Sequence, residues 1–407
     1  MDLHPILSAM RRNKVGAVLI ALQTAVTLAI LCNGLFIIQQ RLAASRRPTG
    51  ADEANIFVIT NQWVGGSKDL SARLQTDLSA LRSLPGVVDA YATNSYPLAN
   101  GGWTEGVSLK PNQKALETPA ALYFGDEHGL KTLGLKLISG RNFTPAEVVD
   151  RQVTEMKAPA AVIITRELAQ KLFPRGDALG RAIYMDFQKH EVPIVGIVDR
   201  LQVPWVSGGN WGSTFNGSSM LEPFRFLAQY TYYVVRVRPG SMASVMTMAD
   251  KKLFDINRAR VIEKVQPMRD ARREAYRDDR GLAVIMGVVC AALLAVTAFG
   301  IVGLTSYWVA QRRRQIGIRR ALGATRGAIV RYFQTENLLI AAAGAALGLV
   351  LAMGANLWMV KSFEMARLPA AYALVGAVVV LLLGQLAVLS PALRAASIPP
   401  ALATRGV

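Results

Sequence analysis

Four long apolar runs divide the chain, and each is long enough to cross a lipid bilayer. None of them carries Asp, Glu, Lys or Arg in its interior. About 20 apolar residues, at a rise of about 1.5 Å each, span the hydrocarbon core of a bilayer. The pattern predicts four transmembrane helices, at residues 15–38, 282–310, 337–360 and 370–390. A cleaved signal peptide is the alternative for the first run, but this run is longer than a signal core of about 7–15 residues, which favours an uncleaved anchor.

The polar stretch between the first two runs, residues 39–281, mixes strand-like and helix-like patterns. Short β-branched runs predict strands, and apolar residues at helical spacing that stop before a proline predict helices. We expect strands at 55–60, 160–165, 192–198 and 232–238, helices at 70–84 and 166–173, and a glycine-rich loop at 207–219. The predicted fold class is a membrane protein with four transmembrane α-helices and a large mixed α/β domain between the first and second helices.

Shorter segments flank the predicted spans. Residues 1–14 combine apolar positions with a basic end, which is typical of a short interfacial helix. Residues 267–281 are charged and lack a helix breaker after Pro267, so we expect them to join the second span as a stalk helix; a solvated helix end is the alternative. Residues 361–369 form a short loop and residues 391–407 a tail.

Basic residues dominate the charge of this 407-residue chain, with 46 Lys+Arg against 28 Asp+Glu and a net charge of +18. Such a balance is typical of proteins that bind nucleic acid or another anionic surface. Seven arginines and no acid lie at 311–333, between the second and third runs. Because basic loops stay in the cytoplasm, this link and both termini are predicted to be cytoplasmic, and residues 39–281 to lie outside, on the other side of the membrane. Charge beside the membrane indicates contact with membrane lipid and argues against nucleic acid.

The arginine-rich link, residues 311–336, predicts a short amphipathic helix. Its apolar residues fall at helical spacing, Gly323 interrupts the pattern, and Thr325 is placed to cap a new helix that runs into the third span. Membrane orientation and lipid headgroup binding account for two or three arginines. The surplus indicates a further partner.

Motifs for hydrolysis and metal binding are absent from the sequence. It contains no G-x-x-x-x-G-K-[ST] motif for nucleotide phosphates, no G-x-S-x-G nucleophile motif and no ionisable residue inside a span for ion-coupled transport. His128 lies beside Asp126 and Glu127 but lacks the spacing of a metal site, so we interpret it as a turn residue. We therefore expect no catalytic residue, metal or cofactor in this chain.

Several phrases resemble the FtsX-like permeases of the MacB type, a family of ABC transporter subunits. They are RRRQIGIRRALGATRGAIVRYFQTENLL in the link, LGLKLISGRNFT at 133–144, AVIITRELAQKLFPRGDALGRAI at 161–183, VPIVGIVDR at 192–200 and SPALRAASIPPALATR at 390–405. They follow one another in the order of the family. The resemblance implies type VII mechanotransmission, in which ATP-driven closure of a permease dimer moves the periplasmic domains. It also implies two periplasmic lobes, one split around a second that is inserted at about 120–222.

The resemblance further implies that the link is a coupling helix that docks on an ABC ATPase subunit. The implied coupling residues are Arg313, Arg314, Ile316, Gly317, Arg319, Arg320, Leu322 and Gly323. Glu336 matches an acidic position of the family, either as a coupling residue or as an interfacial carboxylate near Arg331. Gln311 and Gln315 stand where many members carry Glu, which leaves the docking face wholly basic.

Small residues within the spans predict close helix packing. Gly344 and Gly348 lie four residues apart in the third span, a helix-packing pattern, and Gly300 and Gly303 in the second span are expected to add a contact within the bundle or a dimer. Polar side chains such as Asn33 are expected to form hydrogen bonds between helices.

The expected function is that of a multi-pass permease subunit in the inner membrane of a Gram-negative bacterium, driving efflux of a hydrophobic or amphipathic compound or peptide. Because the chain begins at its membrane part, the ATPase implied by the resemblance is expected to be a separate polypeptide, which holds the ATP and magnesium. The other implied partners are a second copy or a homologous permease and, in an efflux system, a periplasmic adaptor and an outer-membrane channel. Release of lipoproteins and regulation of cell-wall hydrolases stay open as alternatives.

Overall fold

The computed structural model describes residues 14–65, 69–113, 116–155, 157–185, 190–206, 216–363 and 366–399. The chain divides into two compact units, one formed by residues 44–278 and the other by residues 1–43 together with 279–407. The interfacial helix predicted at 1–14 lies almost wholly outside the described residues, as does most of the loop predicted at 207–219.

The helices and strands are labelled here in chain order. The helices are α1 Lys14–Ser45, α2 Leu70–Arg82, α3 Gly129–Leu133, α4 Arg166–Leu172, α5 Met242–Ile256, α6 Met268–Ala275, α7 Arg277–Gln311, α8 Arg313–Ala321, α9 Arg326–Phe363 and α10 Ala370–Ala396. The strands are β1 Ile56–Trp63, β2 Val87–Thr93, β3 Trp103–Ser108, β4 Thr118–Phe124, β5 Leu137–Gly140, β6 Val149–Gln152, β7 Val162–Thr165, β8 Ala182–Met185, β9 Val192–Val198, β10 Ser219–Glu222, β11 Phe224–Leu227, β12 Tyr230–Val237 and β13 Arg260–Pro267.

Four helices, α1, α7, α9 and α10, are long and apolar enough to cross a membrane, which confirms the four predicted spans. Polar side chains join α1 to its neighbours: Gln23 donates to the carbonyl oxygen of Val296 on α7 at 3.0 Å, and Asn33 donates to that of Ala352 on α9 at 3.2 Å. The expected hydrogen bonds between helices are therefore present. Within a bilayer they satisfy polar groups that lipid could not.

The charged segment before the second span differs from its prediction. Instead of one continuous stalk helix, the segment forms α6, which ends at Ala275, and then α7, which begins at Arg277. Tyr276 separates the two helices; its ring is buried, and its hydroxyl accepts a hydrogen bond from the side chain of Gln202 at 2.9 Å. This buried anchor gives the chain a reason to break the helix where the sequence shows neither glycine nor proline.

The unit formed by residues 44–278 contains a four-stranded antiparallel sheet in the order β13-β1-β12-β2. Helices α2 and α5 cover this sheet, with Leu74, Leu78 and Val245 packing against Phe57 and Tyr233 of its strands. The sheet takes two strands from before and two from after the intervening lobe. The first lobe is therefore split around an insertion, in agreement with the two-lobe expectation.

The inserted lobe is a mixed sheet in the order β5-β9-β7-β10-β4-β3-β8. It begins earlier than the predicted residue 120, because β3 pairs antiparallel with β4, with Trp103 opposite Leu122. Its seven-stranded sheet ends with β10 at Glu222, but the lobe continues past the predicted residue 222, because β11 pairs parallel with β6 and Phe224 and Phe226 lie in the same buried cluster as Phe124 and Ile164. One hydrophobic core joins the two lobes, since Val58 of β1, Tyr123 of β4 and Val198 of β9 belong to the same buried cluster.

Candidate functional site

The arginine-rich link folds into α8, a short helix between the second and third spans. The helix ends at Ala321, and Gly323 two residues later has a φ of 95°, in the left-handed region that favours glycine; the amide N–H of Ala324 donates to the carbonyl of Arg319 at 3.0 Å. Thr325 then begins α9, because its hydroxyl accepts the N–H of Ala328 at 3.2 Å. The predicted break and the predicted cap are both confirmed.

One face of α8 is fixed to the membrane helices. Ile316 is buried in a cluster with Trp308 of α7 and with Ile329 and Phe333 of α9. Arg320 donates from one guanidinium nitrogen to the carbonyl oxygen of Ala396 at 2.6 Å and to that of Ile398 at 3.2 Å. A cation at these free carbonyls is favourable, because they form the negative end of the α10 dipole.

The opposite face of α8 is open and basic. Arg313 and Arg314 are exposed, and Leu322 at the end of the helix is 83% exposed. Arg319 is also exposed, with its guanidinium 5.0 Å from the centre of the Tyr332 ring. Ile318, which the implied coupling set omits, is exposed on this side as well.

The implied coupling residues therefore fall into three groups. Arg313, Arg314, Arg319 and Leu322 are available to a partner, while Gly323 forms the turn. Ile316, Gly317 and Arg320 face the membrane helices, which makes them residues that position α8.

Glu336 has a different partner from the one the sequence indicated. Both of its carboxylate oxygens accept from one guanidinium nitrogen of Arg312, each at 3.1 Å, and the two side chains are 3% and 13% exposed. Arg331 is exposed and its guanidinium instead approaches the carbonyl of Gly327 at 3.4 Å. The expectation of an interfacial carboxylate near Arg331 is wrong, because positions five apart on a helix point about 140° from each other.

Arg312 is thus a residue that the sequence prediction missed. It stands between the end of α7 and the start of α8, and its ion pair with Glu336 fixes this junction to α9. Nothing in the sequence distinguished Arg312 from the other arginines of the link as the partner of Glu336, because the two residues are 24 positions apart along the chain.

Three of the four predicted packing glycines lie against α1. A methyl group on Gly344 would stand 2.5 Å from the carbonyl oxygen of Ala21, and one on Gly348 would stand 2.8 Å from that of Ala25, so these helices approach more closely than any side chain allows. Gly300 likewise leaves room for the side chain of Gln23. At Gly303, a methyl group would meet no atom of the described chain within 4 Å.

Two ion pairs join the segment that follows the first span to the segment that precedes the second. Arg41 pairs with the buried Asp279 at 2.5 Å in the membrane unit. In the unit formed by residues 44–278, Arg272 pairs with Glu53 at 2.6 Å and donates to the carbonyl of Ser45 at 2.9 Å. Burial by itself would raise the pKa of the Glu53 carboxyl, but its hydrogen bonds from Arg272 and Thr49 hold that pKa below the ordinary value.

His128 lies in a charged cluster of the second unit. Its Nδ1 is 2.9 Å from a carboxylate oxygen of Asp89, which also pairs with Lys131. Burial would raise the pKa of Asp89, but hydrogen bonds from His128, the Ala90 amide and Lys131 hold it below its ordinary value. In the described part of the chain, no three His, Cys, Asp or Glu residues are grouped to hold a metal ion.

Four membrane-spanning helices, a short basic helix between the second and third, and a large mixed α/β domain between the first and second define a permease-type membrane protein. The model of the MacB-like periplasmic core domain matches residues 17–252, and that of the FtsX-like permease C-terminal domain matches residues 287–400. The chain therefore belongs to the MacB/FtsX-like family of ABC transporter permeases.

Individual relatives are distant. The macrolide export ATP-binding/permease protein MacB of Chromobacterium violaceum is 26% identical over 241 residues, which are 55% of this chain and 33% of that protein. The uncharacterized ABC transporter permease YknZ of Bacillus subtilis is 23% identical over 287 residues, 69% of this chain and 65% of that one. The solved periplasmic region of MacB from Actinobacillus actinomycetemcomitans matches 55% of this chain and 94% of its own at 14% identity, with a TM-score of 0.34. The chain thus spans about a third of the length of the MacB relative it matches.

Proposed function

We propose that this chain is the transmembrane permease subunit of a MacB/FtsX-type ABC transporter in the bacterial inner membrane. A separate ATPase subunit hydrolyses ATP, and the permease converts this into movement of its periplasmic domain, which drives efflux of a hydrophobic or amphipathic compound or peptide. Both termini and α8 are cytoplasmic, and the permease works with a second copy or a homologous permease. The name of the matched MacB relatives, macrolide export protein, supports efflux of a compound of this kind.

The observation that carries the proposal is the division of α8 into a fixed face and a free basic face. Arg313 and Arg314 project from the free face, and Leu322 offers an apolar contact at its end. A partner with an acidic groove and a small apolar pocket would match this surface, since charge steers association and an inserted apolar side chain adds affinity. An ATPase subunit of that description is the partner proposed here.

The fixed face supports transmission of movement from α8 into the membrane. Arg312 connects α8 to α9 through Glu336, and Arg320 connects it to the end of α10. Ile316 adds an apolar attachment, because it belongs to a buried cluster that includes residues of α7, α9 and α10. A force on the free face would therefore reach two spans together rather than bend an isolated loop.

The test is co-purification of the full chain in a mild detergent from its native cell, followed by an assay of ATP hydrolysis. We expect an ABC ATPase subunit to co-purify with the unaltered chain and to be lost with Arg313→Glu/Arg314→Glu. The matched control is Arg238→Glu/Arg258→Glu, which reverses two exposed arginines of the α/β domain and should retain the ATPase. Absence of any ATPase from the unaltered sample would contradict the transporter assignment, whereas equal retention by both variants would contradict only the docking face.

Efflux itself is tested by deleting the gene and measuring sensitivity to hydrophobic and amphipathic compounds. We expect sensitivity to rise and to return to its initial level when the chain is restored. Lipoproteins retained in the inner membrane, or defects in septation, without a change in sensitivity would instead assign the chain to the other branches of this family.

A further inference from the structure

An open groove of about 510 Å³ lies where α9 begins and α10 ends. Arg326 and Arg331 line it from α9, and Leu393 and Ala396 line it from α10, with Val330 between them. This groove is separate from the free face of α8, because none of its lining residues belongs to that helix.

The charge of the groove is not neutralised within the described chain. Arg326, Arg331 and the neighbouring Arg394 are exposed, and none of the three has a carboxylate within ion-pair distance among the described residues. Arg312, by contrast, has Glu336. The groove therefore presents cations that an anionic ligand could neutralise.

The position of the groove along the spans corresponds to the headgroup layer of a bilayer. The apolar run of α9 begins at residue 337, about 9 Å along the helix from Arg331, and the apolar run of α10 ends at residue 390, about 5 Å before Leu393. Headgroups occupy about 5–8 Å on each side of the hydrocarbon core. Long arginine side chains also reach toward headgroups from just outside that core.

An apolar strip continues from the groove along α10. Leu393 is 54% exposed, and Leu386, two helical turns nearer the centre of the span, is 68% exposed on the same face; Leu382 extends the strip by one more turn. The surface is therefore cationic at one end and apolar along the span, which matches a ligand with an anionic head and a long apolar tail.

We propose that this groove is a binding site for an anionic phospholipid, with the headgroup phosphate held by Arg326 and Arg331 and an acyl chain lying along Leu393 and Leu386. The ligand contributes negative charge to arginines that have no carboxylate partner among the described residues. Basic pockets between membrane helices are suited to such headgroups. The strip on α10 lies within the span, where a soluble partner subunit does not reach, and this favours lipid over protein as the occupant. The proposal does not depend on the proposed transport function.

The experiment measures binding of an acyl-labelled phosphatidylglycerol to the full chain in mild detergent, by fluorescence anisotropy, with unlabelled phosphatidylglycerol, phosphatidylcholine and inorganic phosphate as competitors. We expect phosphatidylglycerol to compete well and phosphatidylcholine and inorganic phosphate to compete poorly. Arg326→Gln/Arg331→Gln should weaken binding by roughly tenfold to thirtyfold, since each arginine near the membrane surface contributes about a fivefold gain for anionic lipid. The matched control, Arg313→Gln/Arg314→Gln, removes the same charge from α8 and should change binding by less than about twofold.

Four results would overturn the site. Equal weakening by the two double variants would mean general attraction to a basic surface. Equal competition by phosphatidylcholine would mean that the arginines do not select charge, and displacement by inorganic phosphate alone would mean a free-phosphate site. Full displacement of the lipid by the purified ATPase subunit would reassign the groove to protein docking. Leu393→Asp provides an independent variant, because a carboxylate in the groove should also weaken phosphatidylglycerol binding.

Discussion

The Arg312–Glu336 ion pair is the contact whose removal should most affect how α8 is held. Glu336 lies 3% exposed on α9, and Arg312 lies 13% exposed at the junction of α7 and α8, with both carboxylate oxygens 3.1 Å from the guanidinium. Replacing Glu336 by Gln keeps the size of the side chain and removes its charge. Arg312 is then left as a cation with little access to water and no carboxylate partner.

The expected cost follows from this burial. Removing one member of a buried ion pair costs about 3–5 kcal/mol in dry protein interiors, and we expect about 2–3 kcal/mol here because Arg312 retains some contact with solvent. Arg312→Gln should cost a similar amount, since Glu336 is then the unpaired charge. The double variant leaves no charge unpaired, so it should cost no more than either single variant, well below their sum, which gives a coupling energy of at least about 2–3 kcal/mol.

The assay is chemical unfolding of the full chain in mixed detergent micelles, followed by tryptophan fluorescence, for the two single variants and the double variant. Arg313→Gln is the matched control, because Arg313 is the next arginine along the chain and is exposed. It should change the free energy of unfolding by less than about 0.5 kcal/mol. If Glu336→Gln were no less stable than this control, or if the double variant cost the sum of the two single variants, the ion pair would not be holding α8.

Three simpler substitutions test a helix contact, a cap and an ion pair. Gly348→Ala should lower the free energy of unfolding by about 1–2 kcal/mol, because its methyl would crowd a carbonyl of α1, whereas Gly303→Ala should not; chemical unfolding compares the two. Thr325→Val should cost about 1 kcal/mol by the same assay, since it removes the hydroxyl that caps α9, and replacement by Ser should not. Arg272→Gln should reduce thermal stability at neutral pH. Because the pKa of Glu53 is lowered in the folded protein, its carboxylate contributes to the free energy of unfolding above its ordinary pKa of 4.5, and this contribution is lost as the pH falls through the folded value. Thermal unfolding curves of the unaltered chain and the variant, measured from neutral pH to about pH 3, should therefore converge at the acid end.

The spans could be predicted because a membrane helix is a property of a continuous segment. Apolar length, the absence of charge and the arginine link are all read along the chain, and the four helices lie where this pattern placed them. Their ends were less predictable. The helix that contains the first span continues to Ser45, because residues after 38 such as Gln, Leu and Ala favour helix even where they no longer favour lipid.

The partner of Glu336 could not be found from the sequence, because it depends on how three helices meet. Arg331 was the nearest basic residue on the same helix, but helical rotation directs it elsewhere. Arg312 is 24 residues away along the chain and reaches Glu336 only through the turn between α7 and α9. Likewise, Ile316 and Ile318 both fit an amphipathic α8, and only the positions of α7 and α9 determine that Ile316 is the buried one.

The start of the inserted lobe was missed for a different reason. Strand β3, Trp103–Ser108, includes Thr, Glu and Gly and has no run of β-branched residues. It is a strand because β4 and β8 pair with it on either side. Pairing of this kind overrides local preference, which is why strand positions are less readable than spans.

The number of arginines in the link follows from the separate tasks that the structure assigns to them. Arg312 neutralises Glu336 and Arg320 satisfies the free carbonyls of α10, so these two hold the link in place, while Arg319 lies over an aromatic ring and stays exposed. Arg313 and Arg314 have no such role and form the free face, and the remaining two line the groove at the start of α9. Membrane orientation alone would be served by any of these positions. The proposals instead depend on where each arginine lies. They predict that moving an arginine from one position of the link to another, at constant net charge, changes stability, partner binding or lipid binding separately.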